Sequence, residues 1–170
     1  MTDPRLGDGL LGAIRKLPTG SGVIFRHYDV PIGERRRLFA SVRRICAQRG
    51  HLLLLAGNVH DAPKWHADGL HGRSCTPQPM LHSAPVHTIR EIREARRSGA
   101  KILFLSPLRR TASHPGQRAL GPLRFGQLAR LCQPAKVIAL GGMNRAQAAK
   151  WPRKIVHGWA AIDAFKLRQD

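Results

Sequence analysis

Val137-Ile138-Ala139-Leu140-Gly141-Gly142-Met143-Asn144 is the stretch on which the fold turns. The apolar run from Lys136 to Leu140 has the length and the β-branched content of a buried strand. Two glycines end it, and Asn144 stands where a helix N-cap belongs, ahead of a helical pattern over residues 144–151. A strand that passes through a glycine turn straight into a helix is one half of a parallel β/α unit.

The same alternation extends in both directions. Downstream, residues 156–162 read as a strand. Upstream lie a helix at 122–132 and a strand at Lys101–Leu105. Before these, Thr88-Ile89-Arg90-Glu91 fits a capping box that opens a helix with Ile89, Ile92 and Ala95 inward and Gly99 as its stop. Met80–His82 and Gly69-Leu70-His71-Gly72 read as short strands, and Pro63 limits a helix near 61–66. Leu52–Leu55 suits a strand buried on both faces. The helix at 34–49 turns Leu38, Val42, Ile45 and Cys46 to one side. Its arginines at 35, 36, 37, 43, 44 and 49 are assigned mostly to the other side, and Gly50 ends it. Val23-Ile24-Phe25-Arg26 is a strand, and residues 6–17 form a helix that stops at Pro18. Seven strands separated mainly by helices make an α/β protein, either a barrel or a doubly wound sheet. A complete eight-stranded barrel usually takes about 200 residues or more. A barrel of 170 residues that opens on a helix would lack its first strand and most of its last helix.

Composition narrows the class. At 42% hydrophobic residues the chain can build a core, and 170 residues suit one domain, residues 1–170. No apolar run approaches the roughly 20 residues of a membrane span. Met1-Thr2-Asp3-Pro4-Arg5 has no apolar stretch of the kind a secretory signal carries, so a cytoplasmic location without a membrane partner is expected. Cys46, Cys75 and Cys132 are scattered and form no CxxC pair, which points away from a disulfide framework or zinc knuckle. Lys and Arg total 29 against 10 Asp and Glu, a net charge of +19. Such a surface attracts phosphorylated metabolites or nucleic acid, but arginines on solvated helix faces give the same total. Aromatic content of 5%, with no aromatic-rich basic motif, argues against base stacking on single strands and so against a nucleic-acid partner. Whether copies of the chain form a homo-oligomer is left open by these patterns.

Three places could carry chemistry. Gly141 and Gly142 allow close backbone approach, and the helix start at Asn144 favours an anion there. The loop Ser106-Pro107-Leu108-Arg109-Arg110-Thr111-Ala112-Ser113-His114-Pro115-Gly116 is long, polar and basic, fit to hold an anion or to act as a lid. The nine histidines show no metal-ligand spacing. His87 stands apart because it follows a strand directly before a helix cap, where a barrel would have its mouth.

In order along the chain, these segments resemble those of the thiamin phosphate synthase and TenI family. Ala67-Asp68-Gly69-Leu70-His71 resembles its ADG(V)H segment, and Val86-His87-Thr88 with Glu91 its SxH segment. Ser106-Pro107 with Thr111 through Gly116 resembles its GPxxxTxTKxG loop. Val137–Asn144 resembles its VxAIGGI(N) strand end, and Gly158–Phe165 its GVAVxSAI strand. The similarity runs from about Val23 to Phe165, with Asp3 resembling a remnant of the family's first strand end. The resemblance implies a TIM-type (β/α)8 barrel whose first strand is truncated or missing. It also implies a phosphorylated thiazole as ligand, with phosphate near Gly141, Gly142, Asp163 and Ala164. The loop residues Thr111, Ser113 and His114, with Arg26, would serve the substrate or diphosphate.

The family's two activities differ in what they demand. The synthase joins a pyrimidine diphosphate to a thiazole phosphate with magnesium as cofactor, whereas the tautomerase branch moves a proton without metal. Here the family's Q-x-R-x-K strand reads Ile24-Phe25-Arg26-His27-Tyr28, keeping only the arginine. Its Asn-Asp pair, a magnesium ligand, aligns with Ala56-Gly57, and its second magnesium aspartate falls near Cys75-Thr76. Asp29 and Asp61 lie nearby but off the family's positions. The loop lysine is His114, and a serine at the thiazole-phosphate end is Asp163, whose charge opposes a phosphate. Losing both carboxylates removes the oxygen ligands magnesium needs, so the resemblance implies little synthase activity and no metal site. His87 matches the histidine of the tautomerase branch, and an imidazole titrates near neutrality, as proton transfer requires. The expectation is an enzyme that binds thiazole phosphate and tautomerises it through His87. A synthase with rebuilt metal ligation and a non-catalytic anion- or nucleic-acid-binding barrel are the alternatives.

Overall fold

A computed structural model describes residues 1–109 and 119–161. Its strands are β1 (Gly22–Phe25), β2 (Leu52–Ala56), β3 (Gly69–His71), β4 (Leu81–Val86), β5 (Ile102–Leu105), β6 (Lys136–Leu140) and β7 (Gly158–Ala160). α1 (Gly9–Arg15) precedes β1, and between the strands run α2 (Ile32–Arg49), α3 (Asp61–Lys64), α4 (Ile89–Arg97), α5 (Gly121–Leu131) and α6 (Arg145–Ala148). Among the described residues no helix is long and apolar enough to cross a membrane. The described residues divide into two compact units, one of residues 1–71 and one of residues 72–161.

In the first unit β1, β2 and β3 run parallel in chain order, with Val23 opposite Leu53 and Leu54 opposite Gly69. Leu53, Leu54 and Leu55 are all buried, as a strand covered on both faces requires. Beside β1, the Thr2 N–H donates to the Ile24 carbonyl at 2.8 Å, and the Thr2 hydroxyl accepts from the Arg26 N–H at 3.0 Å. Asp3 then ends this short pairing by capping a 3-10 turn, Pro4–Leu6, through the Arg5 N–H. A single backbone rung therefore stands where a barrel's first strand would lie.

The inward face of α2 keeps Val42, Ile45 and Cys46 as expected, with Phe39 in place of Leu38 and Arg35 added. Arg35, Phe39, Val42, Ile45 and Cys46 are buried, while Leu38 is only half-buried. Positions 35, 39, 42 and 46 follow a 4-3-4 spacing, which is one stripe of an α-helix. Arg35 lies on that stripe and is carried inward with it, unlike Arg36 and Arg37, which are exposed. Gly50 closes the helix in the left-handed region at φ 62°, its N–H reaching the carbonyls of Cys46 and Ala47.

In the second unit β4, β5, β6 and β7 are again parallel and in chain order. β4 extends past the expected Met80–His82 to Val86, pairing Ser83 with Ile102 and Val86 with Leu105. Ser83 and Pro85 hide that strand from a reading based on hydrophobicity, although Ala84 and Val86 belong to the buried core. Leu103, Leu105, Ile92, Phe125 and Val137 fill the core, and Trp151 packs on Phe125 with ring centroids 4.9 Å apart. Seven strands, parallel within each unit and joined through helices except between β3 and β4, with the first position reduced to the Thr2 rung, make this an α/β protein of the TIM type short of one strand.

Candidate active site

β4 ends at Val86, and the capping box turns the chain into α4 two residues later. The Thr88 hydroxyl accepts from the Glu91 N–H at 3.2 Å, and Glu91 reaches back to the Thr88 N–H. The same carboxylate accepts from the His87 N–H at 2.5 Å, and its other oxygen pairs with Arg73 at 2.6 Å. Both backbone N–H groups that flank the histidine side chain are thus satisfied by one acid, which fixes the residue at the mouth of the strand.

The imidazole is half-buried and held by the end of β5. Its Nδ1 lies 2.8 Å from the Ser106 carbonyl oxygen and 3.2 Å from the Ser106 hydroxyl. A carbonyl can only accept, so Nδ1 carries the proton and Nε2 carries the lone pair in the neutral ring. Ser106 is itself buried and anchored, its N–H donating to the Val86 carbonyl at 3.2 Å. The ring is therefore set in one tautomer by groups that belong to the fold.

The next residue, Pro107, carries the connection to β6. The Leu108 N–H donates to the Leu140 carbonyl at 2.9 Å, and the Arg109 N–H to the Gly141 carbonyl at 3.3 Å. A Cβ at Gly141 would lie 2.9 Å from the Pro107 Cα, and its φ of 99° is one that L side chains rarely adopt. Packing against Pro107 is thus reason enough for a glycine at 141. Gly142 is exposed, and Asn144 caps the single turn of α6 through the Gln147 N–H at 3.0 Å. His87 and Gly141 touch successive residues, Ser106 and Pro107. Thr111, Ser113, His114, Asp163 and Ala164 lie outside the described residues.

The strand ends of the first unit differ in chemistry. Arg26 is half-buried, and Arg35 is only 7% exposed. Arg35 Nη2 donates to the Ala56 carbonyl at 2.6 Å and to the Arg26 carbonyl at 3.4 Å, while its Nε has no partner. Its guanidinium lies 5.2 Å from the Trp65 ring centre, 5.6 Å from Tyr28 and 5.8 Å from Phe25. His27 is buried, stacks on Phe25 at 4.9 Å and bonds the Thr2 hydroxyl at 3.0 Å through Nδ1. Burial lowers its pKa below the ordinary 6.5; Asp3 pulls the other way, and Arg35 and Arg26 lower it further. The residues here do not fit magnesium. Ala56 and Gly57 offer no carboxylate, Asp29 is exposed, and among the described residues no three His, Cys, Asp or Glu side chains gather as a metal site. Arg35 is the residue sequence reading passed over, grouped with its exposed neighbours although its spacing to Phe39 and Val42 already put it inside.

Comparison with known proteins bears on the family and the fold. The family model for thiamine monophosphate synthase matches residues 10–165. No curated protein matches the chain significantly. Among solved structures, a thiamine phosphate pyrophosphorylase from Pyrococcus furiosus superposes with a TM-score of 0.79 at 24% identity, over 98% of this chain and 85% of that one. The thiamine phosphate pyrophosphorylase from Bacteroides thetaiotaomicron gives 0.61 at 19% identity, over 96% and 79%. At such identities the superpositions speak for the fold, and the matched model speaks for the family.

Proposed function

Because the chain belongs to the thiamine monophosphate synthase family, we propose that it binds a phosphorylated thiazole and shifts a proton on that ring, with His87 as the acid–base group. One observation carries the reading: Nδ1 of His87 is committed to the Ser106 carbonyl at 2.8 Å. Nε2 is then the atom that takes a proton from a ring carbon and returns one elsewhere, a tautomerisation that needs neither metal nor diphosphate. The phosphate of the substrate goes to Gly141 and Gly142, with Asp163 and Ala164 from the family's last motif.

The test is the aromatisation of a thiazole phosphate carboxylate by purified wild type and His87→Ala. Removing a positioned acid–base group costs about 10²–10⁴-fold in rate. The variant should lose turnover by that factor while its KM changes little. Unaltered turnover would take His87 out of the chemistry and leave a binding protein.

A further inference from the structure

We infer that Arg35 supplies, as a fixed guanidinium, the positive charge that the family resemblance assigns to magnesium at the end of β2, so that the first unit binds a phosphate or diphosphate oxyanion without metal. The inference does not rest on the His87 reading, since every residue it uses lies within Met1–His71.

Gly57 is where the geometry is most direct. A Cβ built there would lie 3.4 Å from Arg35 Nη2, 3.6 Å from Nη1 and 3.9 Å from Cζ. A carboxylate at 57 would rest on the guanidinium and pair with it instead of with a metal ion. The φ of 135° at Gly57 also suits only glycine. The corner thus holds a cation where the family's aligned residue is an anion, and the sign of the site is reversed.

Among the described residues the cation is buried without a counter-ion. Arg35 donates to two carbonyls through one nitrogen, its Nε is buried without a partner, and it enters none of the salt bridges among the described residues. Burying a charge unpaired is expensive unless something completes it. The rings of Phe25, Tyr28 and Trp65 soften that cost but use none of its N–H groups. Among the described residues the hydrogen bonds of the fork use only its Nη2, and a planar fork of this kind matches an oxyanion in two-point fashion. Arg26 adds a second positive charge one strand away, and neutral His27 adds none. Tyr28 and Gly57, both exposed, border the guanidinium and give a ligand its approach.

A purely structural strut would hold the carbonyls of Ala56 and Arg26 and bind nothing. Calorimetric titration of the full chain with inorganic pyrophosphate, and separately with inorganic phosphate, distinguishes the two. Pyrophosphate should bind in EDTA and bind no tighter when magnesium is added. Arg35→Met should weaken it about tenfold or more, the weight of a charge-assisted hydrogen bond. Arg36→Met, exposed on the same helix, should leave it unchanged, which separates the site from the general field of a +19 chain. Pyrophosphate tighter than phosphate would assign the site to a diphosphate, and equal affinities to a monoester. No binding in EDTA, a requirement for magnesium, or equal losses in both variants would overturn the inference. Should Arg35→Met not fold, Arg35→Lys, which keeps the charge but not the fork, takes its place against Arg36→Met, and pyrophosphate affinity unchanged in Arg35→Lys would overturn the inference.

Discussion

At the end of β4 the histidine that the family resemblance singles out is surrounded with partners; at the end of β2, where the resemblance expects a carboxylate, Ala56 and Gly57 stand beside a buried cation. The first arrangement is local. His87, Thr88 and Glu91 lie within five residues, and their bonds form as soon as α4 does. The second is assembled across the chain: Arg35 comes from α2, and the carbonyl it meets at 2.6 Å comes from β2, 21 residues later. If Arg35 acts as inferred, a motif that disappears from a strand end does not take its electrostatic role with it, because a charge can be supplied from a neighbouring element that no local motif contains.

His87→Ala has the largest effect expected of any single change, and it tests whether the β4 end is where bonds are altered. Next comes Gly141→Ala. The substitution forces an L residue into φ 99° and sets its Cβ 2.9 Å from the Pro107 backbone. Overpacking and strain of this kind cost about 1–3 kcal/mol each, so thermal denaturation should show a loss of roughly 3 kcal/mol. If Gly141 served phosphate alone, the variant would keep its stability and lose only ligand affinity, and the rigid picture of this end would fail.

Glu91→Ala is smaller and still specific. It removes half of the capping box, the acceptor for the His87 N–H and the partner of Arg73. Arg73 is largely exposed, so that ion pair adds little. Loss of the cap and of one charge-assisted bond should lower stability by about 1–2 kcal/mol in urea denaturation. Glu91→Gln, which retains an acceptor oxygen, should recover part of it. Equal losses in both variants would mean that the charge, and not the cap, holds His87.

How much of this was legible follows the same division. Thr88 and Glu91 were readable because a capping box is written in four consecutive residues. The strand at Lys136–Leu140 and its glycine end were readable for the same reason. Arg35 was not, because an arginine among arginines reads as solvated surface, and only its phase against Phe39, Val42 and Cys46 sets it apart. β4 was cut short because Ser83 and Pro85 break the apolar run, although the pairing of Val86 with Leu105 continues it. The glycine at 141 suggested a phosphate, but the approach of Pro107, which explains it structurally, is a contact across 34 positions that no local pattern announces.

The smallest expected effect probes the β2 end through its histidine. His27 is buried, and its pKa is depressed from the ordinary 6.5 by that burial first, with Arg35 and Arg26 adding and Asp3 opposing. The folded protein therefore holds the ring neutral at pH values where the unfolded chain has begun to protonate it. With more protons bound in the unfolded state, stability rises with pH. The contribution is complete above the unfolded value of 6.5 and is lost as pH falls through 6.5 toward the lower folded value. One titrating group can give a slope of at most about 1.4 kcal/mol per pH unit. Urea denaturation from pH 5 to 8 should show that slope in wild type and a flatter profile in His27→Gln. Arg35→Met should narrow the window, because removing one of the two repelling cations lets the folded ring protonate at higher pH. Saturating pyrophosphate should narrow it in the same direction, since an anion on the guanidinium cancels the field that His27 feels. A profile that neither the substitution nor the anion moves would mean that the charge of Arg35 is already screened, and the contrast between the two strand ends would then rest on the His87 end alone.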